Sequence, residues 1–392
     1  MNRRRFLKYA GSTAAVGASF GLGFLIDSYL RPVREVVRTQ TRTETITATS
    51  TVTETFVPVS DFVRIVDGQF VYWNSAFKVR GFNYYPRDFG WRIFRAWDED
   101  KSEVDFELHL AQDLNCNCLR TFVNYQYSTD NVNYQYSRDY VNLDRAYVDH
   151  VKEFLALADE YGLKVILSLF EYVYWDLFDP RYYESGIEYL DQLIPLFSND
   201  PRIFAWDVIN EPDLKDPFSQ PNGKSNVAGF LTKMTDRIRE LDKNHPITIG
   251  IGKSEHLVEL KDAVQNLDFV SFHDYDDPRK LLQKISDAKK FGEPVVLEEF
   301  GRYTFPKDPA WPQTETDQAD YYASALPVVK ETGIAGSLFW DLMDFPVVNR
   351  PDITMGPVYD GKDNKEHHFG IYRMDYTPKP AKRVIERFYS GM

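Results

Sequence analysis

From about residue 60 to its end the chain alternates short apolar runs with amphipathic helical stretches, a pattern few folds accommodate. The runs are Lys78–Asn83, Cys118–Phe122, Lys164–Leu169, Ile203–Ile209, Ile247–Ile251, Phe269–Phe272, Pro294–Glu298 and Gly336–Trp340, eight in all. Strands that are apolar throughout are buried on both faces, and the intervening helices supply the crossovers that a parallel sheet needs. In Arg145–Tyr161 the residues Val148, Val151, Phe154, Leu155 and Ala158 recur at helical spacing, as do Val227, Phe230, Leu231, Met234 and Ile238 in Asn226–Leu241. Eight strand–helix units within residues 60–392 predict an α/β protein, a closed (β/α)8 TIM barrel. Ahead of the first unit, the breaks at Asp67-Gly68-Gln69 and Asn74-Ser75-Ala76 predict a short N-terminal β-hairpin that lids the barrel bottom. An open doubly wound sheet is the alternative. It calls for a GxGxxG loop after the first strand, which Arg80-Gly81-Phe82-Asn83-Tyr84-Tyr85 does not provide.

Composition narrows the function. A formal charge of −13 repels polyanions and argues against a nucleic-acid partner. With 43% hydrophobic and 27% charged residues, the chain is neither disordered nor a multi-span membrane protein. The 28 Phe, 25 Tyr and 7 Trp exceed what an ordinary core needs, and serve either as stacking surfaces for a sugar ring or as a Tyr-rich core and surface. Cys116 and Cys118 are the two cysteines, too few for a disulfide framework; their spacing on a strand points both to one face, as small buried residues. The seven histidines show no HxxxH or HxH spacing, and neither a phosphate loop nor a GxSxG elbow is present, so no metal or cofactor is expected.

In a barrel of this kind the active site lies at the C-terminal ends of the strands. The fourth run leads into Trp206-Asp207-Val208-Ile209-Asn210-Glu211-Pro212 and the seventh into Leu297-Glu298-Glu299-Phe300-Gly301. That puts one carboxyl group on each side of the barrel mouth, and two carboxylates flanking a scissile bond are what retaining glycoside cleavage requires. The two motifs resemble the acid/base and nucleophile motifs of clan A glycoside hydrolases, most nearly family 5. The resemblance implies Glu211 as acid/base, Glu299 as nucleophile, and Asn210 as a hydrogen-bond partner of the sugar 2-hydroxyl. It also implies that Arg120 keeps the nucleophile ionised, that His273 and Tyr275 form the family's His-x-Tyr with the phenol bonded to the nucleophile, and that Trp340 is the indole platform under the cleaved sugar. Alternation along a strand lets only one of Glu298 and Glu299 face the mouth. The resemblance of the following Phe-Gly to the family's nucleophile motif implies Glu299, which leaves Glu298 to face the helices or a neighbouring loop. To act as an acid Glu211 needs a raised pKa, from a less polar setting and an ionised Glu299 nearby.

The departures concern substrate. After the third run stands Phe170-Glu171-Tyr172-Val173-Tyr174-Trp175, where many cellulase-like members carry a histidine. Glu171 either bonds a sugar hydroxyl or pairs with a loop arginine, and Tyr84, Tyr85 and Trp175 are expected to stack on sugars. The hairpin and the Asn83-Tyr84-Tyr85 turn look more like the β-mannanase branch, so the substrate expected is a β-linked polysaccharide, first β-1,4-mannan. An endo-β-1,4-glucanase, an exo-acting β-mannosidase or β-glucosidase, a transglycosylase, and a non-catalytic cell-surface carbohydrate-binding protein are the alternatives.

The chain start adds an address. Arg3-Arg4-Arg5-Phe6-Leu7-Lys8 ahead of an apolar Ala/Gly-rich run over 9–26 resembles a twin-arginine export signal, which implies the twin-arginine machinery as a partner. The run, about 18 residues, sits at the short end of what spans a bilayer, so residues 1–30 are expected to be a signal or an uncleaved membrane anchor. Thr stands at nearly every second position from Thr39 to Thr55 without an apolar face, which predicts a solvated linker over 31–59. The protein is thus expected to be exported, extracellular or at the cell surface.

Overall fold

A computed structural model describes residues 60–88, 90–125, 143–171, 173, 175–311, 313–349, 358 and 360–392. The expected signal and linker, residues 1–59, lie outside them. Three short antiparallel strands come first: β1 (Arg64–Val66), β2 (Gln69–Tyr72) and β3 (Ser75–Ala76), paired in that order. Eight parallel strands follow: β4 (Val79–Asn83), β5 (Cys118–Asn124), β6 (Lys164–Glu171), β7 (Ile203–Asn210), β8 (Ile247–Ile251), β9 (Val270–Asp274), β10 (Val295–Phe300) and β11 (Gly336–Phe339). They close in sequence order, with β11 returning to β4 at the register Gly336↔Val79. The helices are α1 (Trp97–Gln112), α2 (Arg145–Glu160), α3 (Tyr183–Leu193), α4 (Gly223–Leu241), α5 (Lys261–Val264), α6 (Leu281–Ala288), α7 (Glu315–Thr332) and α8 (Pro380–Ser390). This is the expected (β/α)8 barrel.

Local chemistry sets the helix ends. Asp144 accepts hydrogen bonds from the Ala146 and Tyr147 amides to start α2, and Thr314 with Asp317 forms a reciprocal capping box at the start of α7. The apolar faces read from the sequence, Val148 to Ala158 on α2 and Val227 to Ile238 on α4, are buried against the strands in one large core. A second core fills the barrel bottom, where Val63, just ahead of β1, and Phe70 of β2 meet Val79, Cys118, Ile166, Phe204, Val296 and Leu338. The Phe70 ring meets Phe204 and Phe269 edge-on at 4.8 and 5.1 Å, so the small sheet plugs the bottom and ligands enter from the other end. The cysteines differ from expectation: Cys116 precedes β5 and packs in the outer core, whereas Cys118 points into the bottom core.

Several strands outrun their apolar stretches at the C-terminal end, β6 to Glu171, β7 to Asn210, β9 to Asp274 and β10 to Phe300. The polar residues there belong to the strand ladder, which fixes their positions more tightly than a loop would.

Candidate active site

The site is built around one guanidinium. Arg120, fully buried on β5, donates from Nη1 to Glu299 Oε1 at 2.6 Å and to Asn83 Oδ1 at 3.1 Å. It also donates from Nη2 to Asp207 Oδ2 at 2.6 Å and Asn210 Oδ1 at 3.0 Å, and from Nε to Asp207 Oδ2 at 3.0 Å. Every donor direction of the fork is thus used on a fixed acceptor. Because Arg120 can only donate, the Asn210 oxygen must face it, which turns the Asn210 amide nitrogen toward the cleft that Asn210 lines. Tyr275 donates to the other Glu299 oxygen at 2.7 Å. Burial, and then the Glu299 charge, keep that phenol protonated and able to donate.

Glu211 sits at the turn after β7 with φ 48° and ψ 52°, a left-handed conformation that non-glycine residues seldom adopt. Its amide donates to Gly250 O at 2.8 Å, and the strain is retained where it aims the carboxyl at the mouth. Beside it His273 Nδ1 lies 2.9 Å from Glu211 Oε1 and 3.4 Å from Glu299 Oε2. Burial opposes a charge on this imidazole, but Glu299, Glu211 and Glu298 outweigh it and push its pKa up to about 10. Glu211, in turn, is not raised as the sequence argument required. Burial acts upward, yet the His273 hydrogen bond and the charges of His273, Lys215 and Arg120 hold it below the usual carboxylate range.

Glu298 also departs from expectation. Its pairing with the neighbouring strands shifts register around Leu297–Phe300, a bulge that breaks strict alternation. Glu298 therefore lies inside the barrel with Glu299, accepting from Ser271 Oγ at 2.9 Å, with Arg120 Nε at 3.7 Å and His273 Nε2 at 3.6 Å. Gly250 makes room for this cluster: a Cβ there would stand 2.7 Å from Arg120 Nη2, 3.0 Å from Glu298 Oε2 and 3.1 Å from His273 Nε2. Asp207, under Arg120, is pushed up by burial to about 6 although the arginine opposes it.

The cleft above, about 540 Å3, is lined by Trp91, Glu171, Asn210, Glu211, Lys215, Tyr275, Glu299, Gly301, Arg302, Tyr303, Trp311, Trp340, Lys365, Glu366 and Phe369. Of the residues singled out from sequence, Glu171, Asn210, Glu211, Tyr275, Glu299 and Trp340 face it. Arg120 and His273 stand behind, positioning the carboxylates rather than contacting a ligand. Tyr85 is corrected: it is buried between Trp91 and Phe122, 4.7 Å from each, so neither face is free for a sugar, and it braces Trp340 edge-on at 6.2 Å. Tyr84 is likewise buried, its hydroxyl donating to Glu107 at 2.7 Å. The Trp175 side chain lies outside the described residues. Among the described residues Glu171 makes no ion pair with an arginine. Sequence reasoning missed Asp207 and Asn83, which sit inside the quoted motifs, and Trp91, Lys215, Arg302, Trp311, Lys365 and Glu366, which lie in connecting segments, in part short 3-10 turns, without a longer periodicity.

The Glu211, His273 and Glu299 ligand atoms lie within 4.8 Å of one another, near enough to share a cation, although carboxylate-assisted glycoside cleavage needs none. A closed (β/α)8 barrel with two carboxyl groups this close across its mouth has the architecture of a barrel glycoside hydrolase. The model of glycosyl hydrolase family 5, described as cellulase, matches residues 76–345, and the chain belongs to that family. Mannan endo-1,4-β-mannosidase A of Podospora anserina is 26% identical over 233 residues, covering 48% of this chain and 57% of its own. Mannan endo-1,4-β-mannosidase 2 of Arabidopsis thaliana is 25% identical over 357 residues, 72% of this chain and 78% of the relative. The solved exo-β-1,4-mannosidase of Opitutaceae bacterium strain TAV5 shares the fold with a TM-score of 0.67 at 21% identity, covering 86% of this chain and 62% of that one. The chain spans 57% and 41% of the lengths of two of the curated relatives it matches.

Proposed function

We propose that the protein is a retaining β-1,4-mannanase acting by double displacement. The observation that carries the retaining mechanism is that one carboxyl oxygen of Glu211 lies within 4.8 Å of one of Glu299, whereas an inverting pair stands roughly 6.5–9.5 Å apart to admit water. Glu299, oriented by Arg120 and Tyr275, attacks the anomeric carbon. The carbon–oxygen bond to the leaving sugar breaks as Glu211 protonates its oxygen, and a glycosyl ester on Glu299 forms. A water that gives its proton to Glu211 then attacks the same carbon and frees Glu299, with net retention. In the free protein the required proton resides on His273, 2.9 Å from Glu211, because the surrounding carboxylates push the imidazole up to about 10. A sugar filling the cleft removes solvent from Glu211 and shifts that proton onto the carboxyl.

The relatives named mannan endo-1,4-β-mannosidase support mannan and internal cleavage. One observation favours exo-action: Lys365, Glu366 and Phe369, from the segment after β11, wall the cleft. Hydrolysis of mannan, glucomannan, a cellulose derivative, xylan and aryl β-glycosides by wild type, Glu211→Ala and Glu299→Ala tests the reading. Mixed oligosaccharides from mannan, lost in both variants, are expected; release of mannose alone would establish exo-action, and an inactive wild type would overturn the assignment.

We propose further that the enzyme lies outside the cell, exported by the twin-arginine machinery and held at the membrane by its N-terminal segment on a Thr-rich stalk. Supporting it are Arg3-Arg4-Arg5-Phe6-Leu7-Lys8 and the apolar run after it. Among the described residues no helix is long and apolar enough to cross a membrane. Replacing Arg3, Arg4 and Arg5 by Lys should leave the protein in the cytoplasm on fractionation; unchanged export would contradict this.

A further inference from the structure

Glu171 is a buried carboxylate at the C-terminal end of β6, and among the described residues its Oε2 has no hydrogen-bond partner. Leaving a buried acceptor unpaired is costly, so it is retained where a ligand supplies the missing donor. Its environment agrees: burial pushes Glu171 up to about 7, only partly offset by Lys215 and Arg120. Glu171 lines the catalytic cleft, and so does Lys215, which makes no ion pair among the described residues.

The loop that carries Lys215 is held in place. Asp213 accepts from the Gly252 amide at 2.7 Å, the Lys253 amide at 3.0 Å and His256 Nδ1 at 2.8 Å, tying the turn after Glu211 to the end of β8. The ammonium is thus set beside the cleft by a buried anchor.

The barrel fixes which part of a substrate these groups meet. Around the closed order, β6 lies four strands from β10 in either direction, diametrically opposite the strand of Glu299, and next to β7, which leads into Glu211. In-line displacement expels the leaving oxygen on the side of carbon opposite the attacking carboxylate. The leaving sugar therefore departs toward Glu211 and the groups beyond it.

We propose that Glu171 and Lys215 form the subsite for the departing sugar, the carboxylate accepting from a ring hydroxyl and the ammonium donating to an adjacent oxygen. This rests on the glycosidase reading above and assigns its leaving-group specificity. A simple aryl leaving group has no hydroxyl pair and gains nothing from the subsite.

The test compares kcat/KM on a β-1,4-manno-oligosaccharide with that on the 4-nitrophenyl β-mannoside. It uses wild type, Glu171→Gln, which keeps the volume, and Lys215→Met, which alters a half-buried loop position. Each variant should lower the oligosaccharide-to-aryl ratio about tenfold or more, as loss of a charge-assisted hydrogen bond implies. Tm should not fall in Glu171→Gln, because that change removes a buried charge. Equal losses on both substrates, or none, would overturn the proposal. The ratio is read in whichever glycoside series wild type cleaves, so an enzyme confined to β-glucosides would refute the mannan reading while this test still decides the subsite.

Discussion

Replacing Arg120 by methionine keeps the bulk of the side chain and removes its charge. Five hydrogen bonds end on Asn83, Asp207, Asn210 and Glu299, and after the change three buried carboxylates, Asp207, Glu298 and Glu299, lose their paired cation. Removing one partner of a buried ion pair costs about 3–5 kcal/mol. At roughly 2 °C per kcal/mol for a large domain, Tm should drop by about 6–10 °C. Activity should fall further, because Glu299 and Asn210 lose their orientation, and misplacement by about 1 Å can cost a hundredfold. Arg120→Lys should not rescue: an ammonium on a flexible stem does not span Asp207 and Glu299 as the planar fork does. The stability loss should be larger at pH 7.5 than at pH 5, since Asp207, already pushed up to about 6 by burial, escapes its unpaired charge by protonation in acid. Thermal unfolding at both pH values with steady-state hydrolysis reads all of this. A variant that keeps Tm within about 2 °C and kcat within about threefold would refute the idea that one guanidinium organises the site.

Three other predictions follow from neighbouring residues. His273 is held near 10 against an ordinary value of about 6.5, so the folded state keeps an extra proton between these values; its stabilisation is complete below pH 6.5 and is lost as pH rises through 10. Urea midpoints from pH 6.5 to 10 should show that decline in wild type and a flatter profile in His273→Asn; parallel profiles would contradict it. Trp311 is 52% exposed at the cleft edge, with the Arg302 guanidinium 4.4 Å from its ring centre, so Trp311→Ala should raise KM for polymer several-fold while changing stability by less than about 0.5 kcal/mol. Tyr85→Ala should behave oppositely, costing about 3–5 kcal/mol in chemical denaturation because both ring faces are packed, and lowering kcat through the loss of support for Trp340.

The barrel was legible because its signal is repeated: each apolar run must be covered by the amphipathic helix that follows, and eight repetitions in order leave one closed arrangement. Glu211 and Glu299 were legible because Asn210-Glu211-Pro212 and Glu299-Phe300-Gly301 resemble family motifs and fall at the C-terminal ends of the fourth and seventh barrel strands. Glu298 was not, since a bulge in β10 turns it inward where alternation alone would turn it out. Nor was the state of Glu211, which depends on an imidazole 62 residues away in sequence. Tyr85 and Trp311 show why aromatic content is a poor guide to sugar contacts: whether a ring face is open depends on what packs against it. Lys215 and Glu366 lie in loop segments whose course follows from contacts between distant parts of the chain.

The central claim is that Glu299 forms a covalent bond to the sugar. Incubation with 2-deoxy-2-fluoro-β-mannosyl fluoride, which slows release of such an ester, followed by intact mass and peptide mapping, tests it directly. The account predicts one glycosyl unit per chain, on Glu299 and not on the adjacent Glu298, and β-configured sugar as the first product of mannan cleavage. An adduct on Glu298, or no adduct together with an α-configured first product, would contradict it.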